Sequence, residues 1–301
     1  TLMENFFEDL YINGCEIKKN EPMKNHTYFR IGGTTQAMFL PKSTEAMVYT
    51  CKKLLMEGKS FRIMGYGANL IVSDSELNFF VICTKYLSDI TICGTGVTVQ
   101  CGVPTARLSY IAAENGLSGL EFASGIPGSV GGAVFMNAGA YDGEFKSIVR
   151  TSSVFDKKNM EVISLNADQM DFGYRHSIFQ QGRYVCLEAT LELSQAQRDE
   201  VIGKTKELLE KRWKKQPLDL PSAGSFFKRP RNDFFVGTAI ENLGMKGLRV
   251  GGAEISKKHA GFIVNAANAT FDDVIKLSEV VKTRIKEAYN VDLETEPEIW
   301  K

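Results

Sequence analysis

Arg175 stands in the segment Phe172-Gly173-Tyr174-Arg175-His176-Ser177. A guanidinium flanked by aromatics after a glycine can hold a carboxylate or stack on a planar ring. A surface arginine in a loop would look the same in this segment taken alone. Ser225 stands in Pro221-Ser222-Ala223-Gly224-Ser225-Phe226-Phe227-Lys228-Arg229-Pro230, where small residues expose its hydroxyl at a strand start. Two phenylalanines stand behind it and two cations beside it. The GxSxG pattern of a hydrolase nucleophile is absent and no base is paired with it, so a proton donor or an anion ligand suits it better. A plain turn serine is the alternative. The acidic run Glu294-Thr295-Glu296-Pro297-Glu298 is a solvated tail by composition, but Val291, Leu293, Ile299 and Trp300 around it place part of it in a sheet. A carboxylate held there can act as acid or base.

The run Ser124-Gly125-Ile126-Pro127-Gly128-Ser129-Val130-Gly131-Gly132-Ala133-Val134-Phe135-Met136-Asn137-Ala138-Gly139 is glycine-rich and apolar together, unlike a flexible linker. Glycines clear side chains from the backbone, so a phosphate-bearing cofactor can meet free N–H groups while its ring system lies on small residues. A tight packing crossing without ligand is the competing reading. Gly65-Tyr66-Gly67-Ala68-Asn69 starts like a GxGxxG motif, but Leu70 fills the last glycine position and a strand, Leu70–Val72, follows. That is a β–turn–β arrangement, a poor fit to a Rossmann site.

These segments need elements to hold them. A helix capped by Ser43 is expected to about Glu57, and a second opens near Pro104 and closes at Gly116. A charged helix is expected over residues 197–215, and one over 271–289 with a capping box of Thr270 and Asp273. Strands are expected near 61–64, 79–84, 89–93, 97–101, 147–155, 161–164, 184–193, 225–227 and 261–264, with a last one beginning near Val291.

The chain has 301 residues, 44% hydrophobic and 24% charged, with formal net charge +0. It has room for one large domain or two to three small ones. Neutral charge gives no sign of a nucleic-acid or anionic-membrane partner, and no apolar run approaches a membrane span. The N-terminal residues Thr1 to Asn5 lack a basic start before an apolar core, so no signal peptide is expected. Six cysteines form no CxxC pair and the three histidines are scattered, so reduced core thiols and no metal site are expected.

Together, and in this order, these segments resemble the UDP-N-acetylenolpyruvoylglucosamine reductase (MurB) flavoenzymes of peptidoglycan synthesis, in their shorter, second type. The resemblance runs from Tyr28-Phe29-Arg30-Ile31-Gly32-Gly33 to the acidic C-terminus. It implies an α+β protein: an FAD-binding fold of the vanillyl-alcohol oxidase type in two α/β lobes (residues 1–86 and 87–200), plus a C-terminal α+β substrate domain (201–301). By motif, Gly65, Tyr66, Gly67, Ala68, Asn69 and Leu70 correspond to a first flavin-pyrophosphate loop. Gly125, Ile126, Pro127, Gly128, Ser129, Gly132, Asn137 and Gly139 correspond to a second. The resemblance gives Arg175 the role of stabilising the intermediate and Ser225 that of protonating the substrate carbon. The family glutamate lies three residues after the leucine of the final strand, here Glu296; the chain departs from the family beyond that point, and a slip by one side-chain period brings Glu298 instead. Tyr174, Lys215 and Arg229 are expected to bind substrate.

The resemblance also implies FAD as cofactor, NADPH as co-substrate, UDP-N-acetylglucosamine enolpyruvate as substrate, and a monomer in a bacterial cytoplasm. Two other readings stay open. A flavin oxidase of the same fold often tethers FAD through His or Cys, and neither glycine loop carries one. A nucleotide-sugar binding protein without flavin would be colourless.

Overall fold

The computed structural model describes residues 1–301. The chain divides into two compact units, one made of residues 1–20, 36–66 and 78–211, the other of residues 21–35, 67–77 and 212–301.

The first unit is built on two sheets. One has four strands in the order Cys15–Pro22, Thr34–Pro41, Phe80–Cys83, Phe61–Met64. Phe80–Cys83 pairs in parallel with both of its neighbours and is buried along its whole length, as a strand covered on both faces must be. Helices α1 (Leu2–Ile12) and α2 (Thr44–Met56) belong to this part. Thr1 and Glu4 form a capping box at α1, and Ser43 accepts the Ala46 N–H at α2. Phe6, Phe7, Phe39 and Phe80 meet edge to face or tilted in the core that α1 and α2 help to close.

The other sheet has five antiparallel strands in the order Glu161–Asn166, Val149–Asp156, Tyr184–Glu192, Gly96–Gln100, Ile90–Cys93. Its middle strand alternates buried and half-buried residues, the period of two that a one-sided core imposes. Asp156, fully buried at the end of its strand, receives two bonds from the Arg183 guanidinium, which hold its carboxyl down at about 2. Helices α3 (Thr105–Glu114) and α4 (Val130–Met136) complete this part. Helix α5 (Arg198–Lys215) starts in the first unit and ends in the second.

The second unit carries a four-stranded antiparallel sheet, Ser222–Ser225, Phe262–Asn265, Ala253–Ile255, Arg249–Val250. Helices α6 (Val236–Asn242) and α7 (Phe271–Tyr289) accompany it. Leu70–Val72 pairs in parallel with Glu298–Trp300. Phe29, Ile31 and Ile71 enter the same core as Phe226, Val274, Leu277 and Val281, so chain segments far apart in sequence share one apolar interior.

Most expected helices and strands stand within two or three residues of their predicted ends. Four differences matter. The glycine-rich run contains α4, seven residues long, although glycine is a poor helix former. The last strand starts at Glu298, not near Val291. The strand expected at 225–227 is Ser222–Ser225, with Phe227 in an isolated bridge. Helices α1 and α6 and the strands Cys15–Pro22, Thr34–Pro41, Arg249–Val250 and Ala253–Ile255 had no expectation. The divide expected at residue 86 falls inside the first unit, and the one at residue 200 falls inside α5. No helix is long and apolar enough to cross a membrane.

Candidate functional site

Ser129 organises the second glycine loop. Its hydroxyl accepts the Gly132 N–H at 3.2 Å and so caps α4. The next N–H groups are already committed: Val130 donates to Val103 O and Gly131 to Cys101 O, both at 2.9 Å. The start of α4 is therefore sewn to the turn that follows the strand Gly96–Gln100, and the free N–H groups expected in this run are not at the helix start. Among the loop hydrogen bonds, the amides of Gly125, Gly128 and Ser129 take no backbone acceptor, and neither does that of Gly65 in the first loop.

Gly65 lies against this same loop. A Cβ at Gly65 would stand 2.2 Å from Ser129 Oγ, so no residue larger than glycine fits. Tyr66, beside it, donates its hydroxyl to Gly102 O at 2.9 Å and anchors the first loop. Two expected loops thus meet in one unit, with unpartnered amides and no side chain between Gly65 and Ser129. Such a cradle fits an anionic, flat cofactor such as FAD: amides for its phosphates, and small or apolar residues such as the buried Ile126 for the rest.

The loop continues in the second unit. Gly67 adopts φ +69, and a Cβ there would meet His26 O at 2.3 Å. Its carbonyl accepts the Tyr28 N–H at 3.0 Å. The bracing segment, with His26 Nε2 2.6 Å from Glu21 Oε1, was missed as a support; its only sequence signal is the Tyr28–Gly33 motif nearby. The amides of Ala68 and Asn69 also take no backbone acceptor. Leu70, at the loop's end, lies in register with Glu298, whose N–H donates to Asn69 O at 2.9 Å.

In the first unit, Asn137 ends α4 in the left-handed region, φ +44, and is fully buried. Its amide donates to Glu144 Oε2 at 3.0 Å and Gly173 O at 2.8 Å, and its oxygen accepts the Lys146 N–H at 2.8 Å. These three bonds fix the shape of the loop end around Asn137. Gly173 and His176 form a tight reversal by exchanging backbone bonds, with Arg175 at φ +49 inside it. The guanidinium donates from Nη2 to Gly139 O at 3.2 Å and lies over the half-exposed Tyr174 ring, 5.2 Å from its centroid. Arg175 and the second glycine loop are therefore one piece of structure.

In the second unit, Ser225 ends its strand exposed, paired with Phe262. Phe226 and Phe227 behind it are buried, their rings 5.0 Å apart. Thr295 bridges Phe227, Lys228 N donates to Glu294 O, and Glu296 N donates to Phe226 O, the last two at 2.9 Å. The backbone of Glu296 thereby lies beside the residue that follows Ser225, whereas that of Glu298 lies beside the first glycine loop. The cations near Ser225 are engaged: Lys228 Nζ stands 3.7 Å from Glu294 Oε2, and Arg229 stacks on Phe235. Lys215 is the exposed last residue of α5.

With this geometry in hand, comparison with known proteins is specific. Residues 216–300 match the family described as UDP-N-acetylenolpyruvoylglucosamine reductase, C-terminal domain, and residues 35–165 match the FAD binding domain. The chain is similar to UDP-N-acetylenolpyruvoylglucosamine reductase of Petrotoga mobilis, 50% identical over 297 residues, 97% of each chain. Its counterpart from Clostridium tetani is 43% identical, covering 98% of this chain and 94% of that one. Among solved structures, the UDP-N-acetylenolpyruvylglucosamine reductase (MurB) from Thermus caldophilus superposes with TM-score 0.80 at 32% identity, covering 95% of this chain and 99% of that one. Alkyldihydroxyacetonephosphate synthase, 14% identical with TM-score 0.50 over 64% of this chain and 40% of its own, shares the fold alone.

Proposed function

This chain belongs to the UDP-N-acetylenolpyruvoylglucosamine reductase family, and on that premise we propose that it converts UDP-N-acetylglucosamine enolpyruvate to UDP-N-acetylmuramate with electrons from NADPH. Its fold is an α+β FAD-binding fold with a C-terminal domain, and FAD is its cofactor. When bound, FAD supplies the hydride to the vinyl carbon of the enolpyruvyl ether. The residues that hold it are Gly65, Tyr66, Gly67, Ala68, Asn69 and Leu70 in the first loop. In the second they are Gly125, Ile126, Pro127, Gly128, Ser129, Gly132, Asn137 and Gly139.

The chain's own residues then manage charge and a proton. Negative charge gathers on the substrate carboxylate as the double bond is reduced, and the Arg175 guanidinium stabilises it. Ser225 donates a proton from Oγ to the carbon next to the carboxylate, and Glu296, carrying a proton, hydrogen-bonds the enol form. Tyr174, Lys215 and Arg229 bind the substrate, the two cations at its phosphates. The bridge between Phe227 and Thr295 supports this reading most directly, because it ties the strand of Ser225 to the segment of Glu296. A strand, Leu70–Val72, and not a helix follows the first glycine loop, which agrees with NADPH acting as a visiting reductant with no dinucleotide fold of its own. A bacterial cytoplasm is the compartment this substrate implies.

An anaerobic cycle tests the proposal. Purified protein should be yellow, NADPH should bleach it, and UDP-N-acetylglucosamine enolpyruvate should restore the colour. A bleached flavin that ignores the sugar nucleotide and reoxidises rapidly in oxygen makes the protein an oxidase.

A further inference from the structure

Gln180 plays no part in the chemistry above, yet it holds the turn that carries Arg175. It lies in the 3-10 turn Ile178–Gln181. Its side-chain amide donates to Arg175 O at 2.8 Å and to Phe135 O at 3.2 Å. Phe135 O belongs to the last turn of α4, where the helix itself offers no N–H. Ser177 Oγ donates to the same oxygen at 2.7 Å, and Asn137 Nδ2 donates to Gly173 O. Three side chains thus fasten the reversal to the end of α4, and of the three Gln180 is the one bonded to Arg175. Arg175 sits at φ +49, where side-chain-bearing residues persist only when their surroundings hold them.

We propose that Gln180 is a positioning residue for the substrate half of the reaction. By clamping the Arg175 carbonyl to the end of α4 it keeps Arg175 at positive φ and its guanidinium on Gly139 O. Loss of the clamp lets the backbone relax to negative φ and swings the side chain away. The inference rests on the role given to Arg175 above.

The test uses the full chain loaded with FAD. Q180M keeps the length of the side chain and removes both donors. NADPH should bleach this variant at the wild-type rate, and the apoprotein should take up FAD with unchanged affinity. Reoxidation by UDP-N-acetylglucosamine enolpyruvate should slow by about tenfold to a hundredfold, the cost of a small misplacement. R175M should slow that step further, and R175M/Q180M should be no slower than R175M, because Gln180 acts through Arg175. Slowing that multiplies in the double variant, equal loss in both half-reactions, or an unaffected Q180M each overturns the inference. An R175M protein with a normal substrate step sinks the Arg175 reading instead. Should Q180M not fold, Q180E replaces it: its ionised carboxylate cannot donate but its acid form can, so the slowed step recovers as pH falls through the titration of that carboxyl. A Q180E protein as fast as wild type at a pH where that carboxyl is ionised contradicts the clamp.

Discussion

Ser225 is an exposed hydroxyl on a rigid support, and that combination suits delivery of a proton to carbon. The buried pair Phe226 and Phe227 prevents the strand end from yielding, while the hydroxyl stays open to a ligand. Ser225→Ala should leave bleaching by NADPH intact and slow the substrate step by roughly 10²- to 10⁴-fold, the usual worth of general-acid donation. Stopped-flow comparison of the two half-reactions checks this, and equal losses in both contradict a proton donor. Glu296 and Glu298 separate by backbone partner, one beside Phe226 and the other in register with Leu70. Glu296→Gln should therefore slow the substrate step strongly and Glu298→Gln much less; the opposite order moves the role to Glu298. Arg175 and Ser225 were legible in the sequence because glycines and aromatics mark them locally. Gln180 and His26 were not. Gln180 reaches the Phe135 carbonyl 45 positions before it, and the His26 carbonyl lies against Gly67, and no local pattern encodes such meetings.

At the scale of elements, end signals proved more readable than interiors. Ser43, Thr270 with Asp273, Pro104 and Gly116 mark helix boundaries because each satisfies or relieves backbone groups at a terminus. Helix α4 was hidden because its propensity is poor; the Ser129 cap and the bonds from Val130 and Gly131 to the carbonyls of Val103 and Cys101 make it anyway. The C-terminal segment reads apolar from Val291, but the partner strand it needs, Leu70–Val72, extends only opposite residues 298–300. The contact between the two glycine loops yields a prediction. Gly65→Ala places a methyl group 2.2 Å from Ser129 Oγ, so the loops must part. FAD affinity of the apoprotein should fall by about tenfold or more, as overpacking of a tight site does. Gly65→Ala with Ser129→Gly should recover part of it, and fluorescence titration of FAD measures both. Unchanged affinity in Gly65→Ala would mean that the loops can part without harm to the cradle.

At the scale of the molecule, the six thiols report on the state of the interior. Cys93 is exposed, Cys186 is half-buried, and Cys15, Cys51, Cys83 and Cys101 are buried. Burial pushes Cys15 and Cys186 up to about 11 and Cys51 to about 12, and the thiolate is the reactive form. At pH 8 a disulfide reagent should titrate one thiol quickly in the native protein and six in denaturant. The fast phase should vanish in Cys93→Ser; a second fast thiol would show that the core around α1 and α2 opens readily. A separate C-terminal unit was legible, expected from residue 201 and found from residue 212, whereas the share that residues 21–35 and 67–77 take in it was not, because that part of the division ignores chain order.

That division bears on the order in which the protein can be made. The second unit draws on residues 21–35 and 67–77 as well as on everything after residue 211. During synthesis Phe29, Ile31 and Ile71 emerge early but must wait for Phe226 and α7 before their core exists. The strand Leu70–Val72 waits for Glu298–Trp300, more than two hundred residues later in the chain. Apolar segments thus stay without partners on the ribosome until residues 212–301 have been made, a period in which a nascent chain invites chaperones or aggregation. A nonsense mutation that removes Glu298–Trp300 is accordingly a lesion of the whole second unit, because it takes the partner strand from Leu70–Val72.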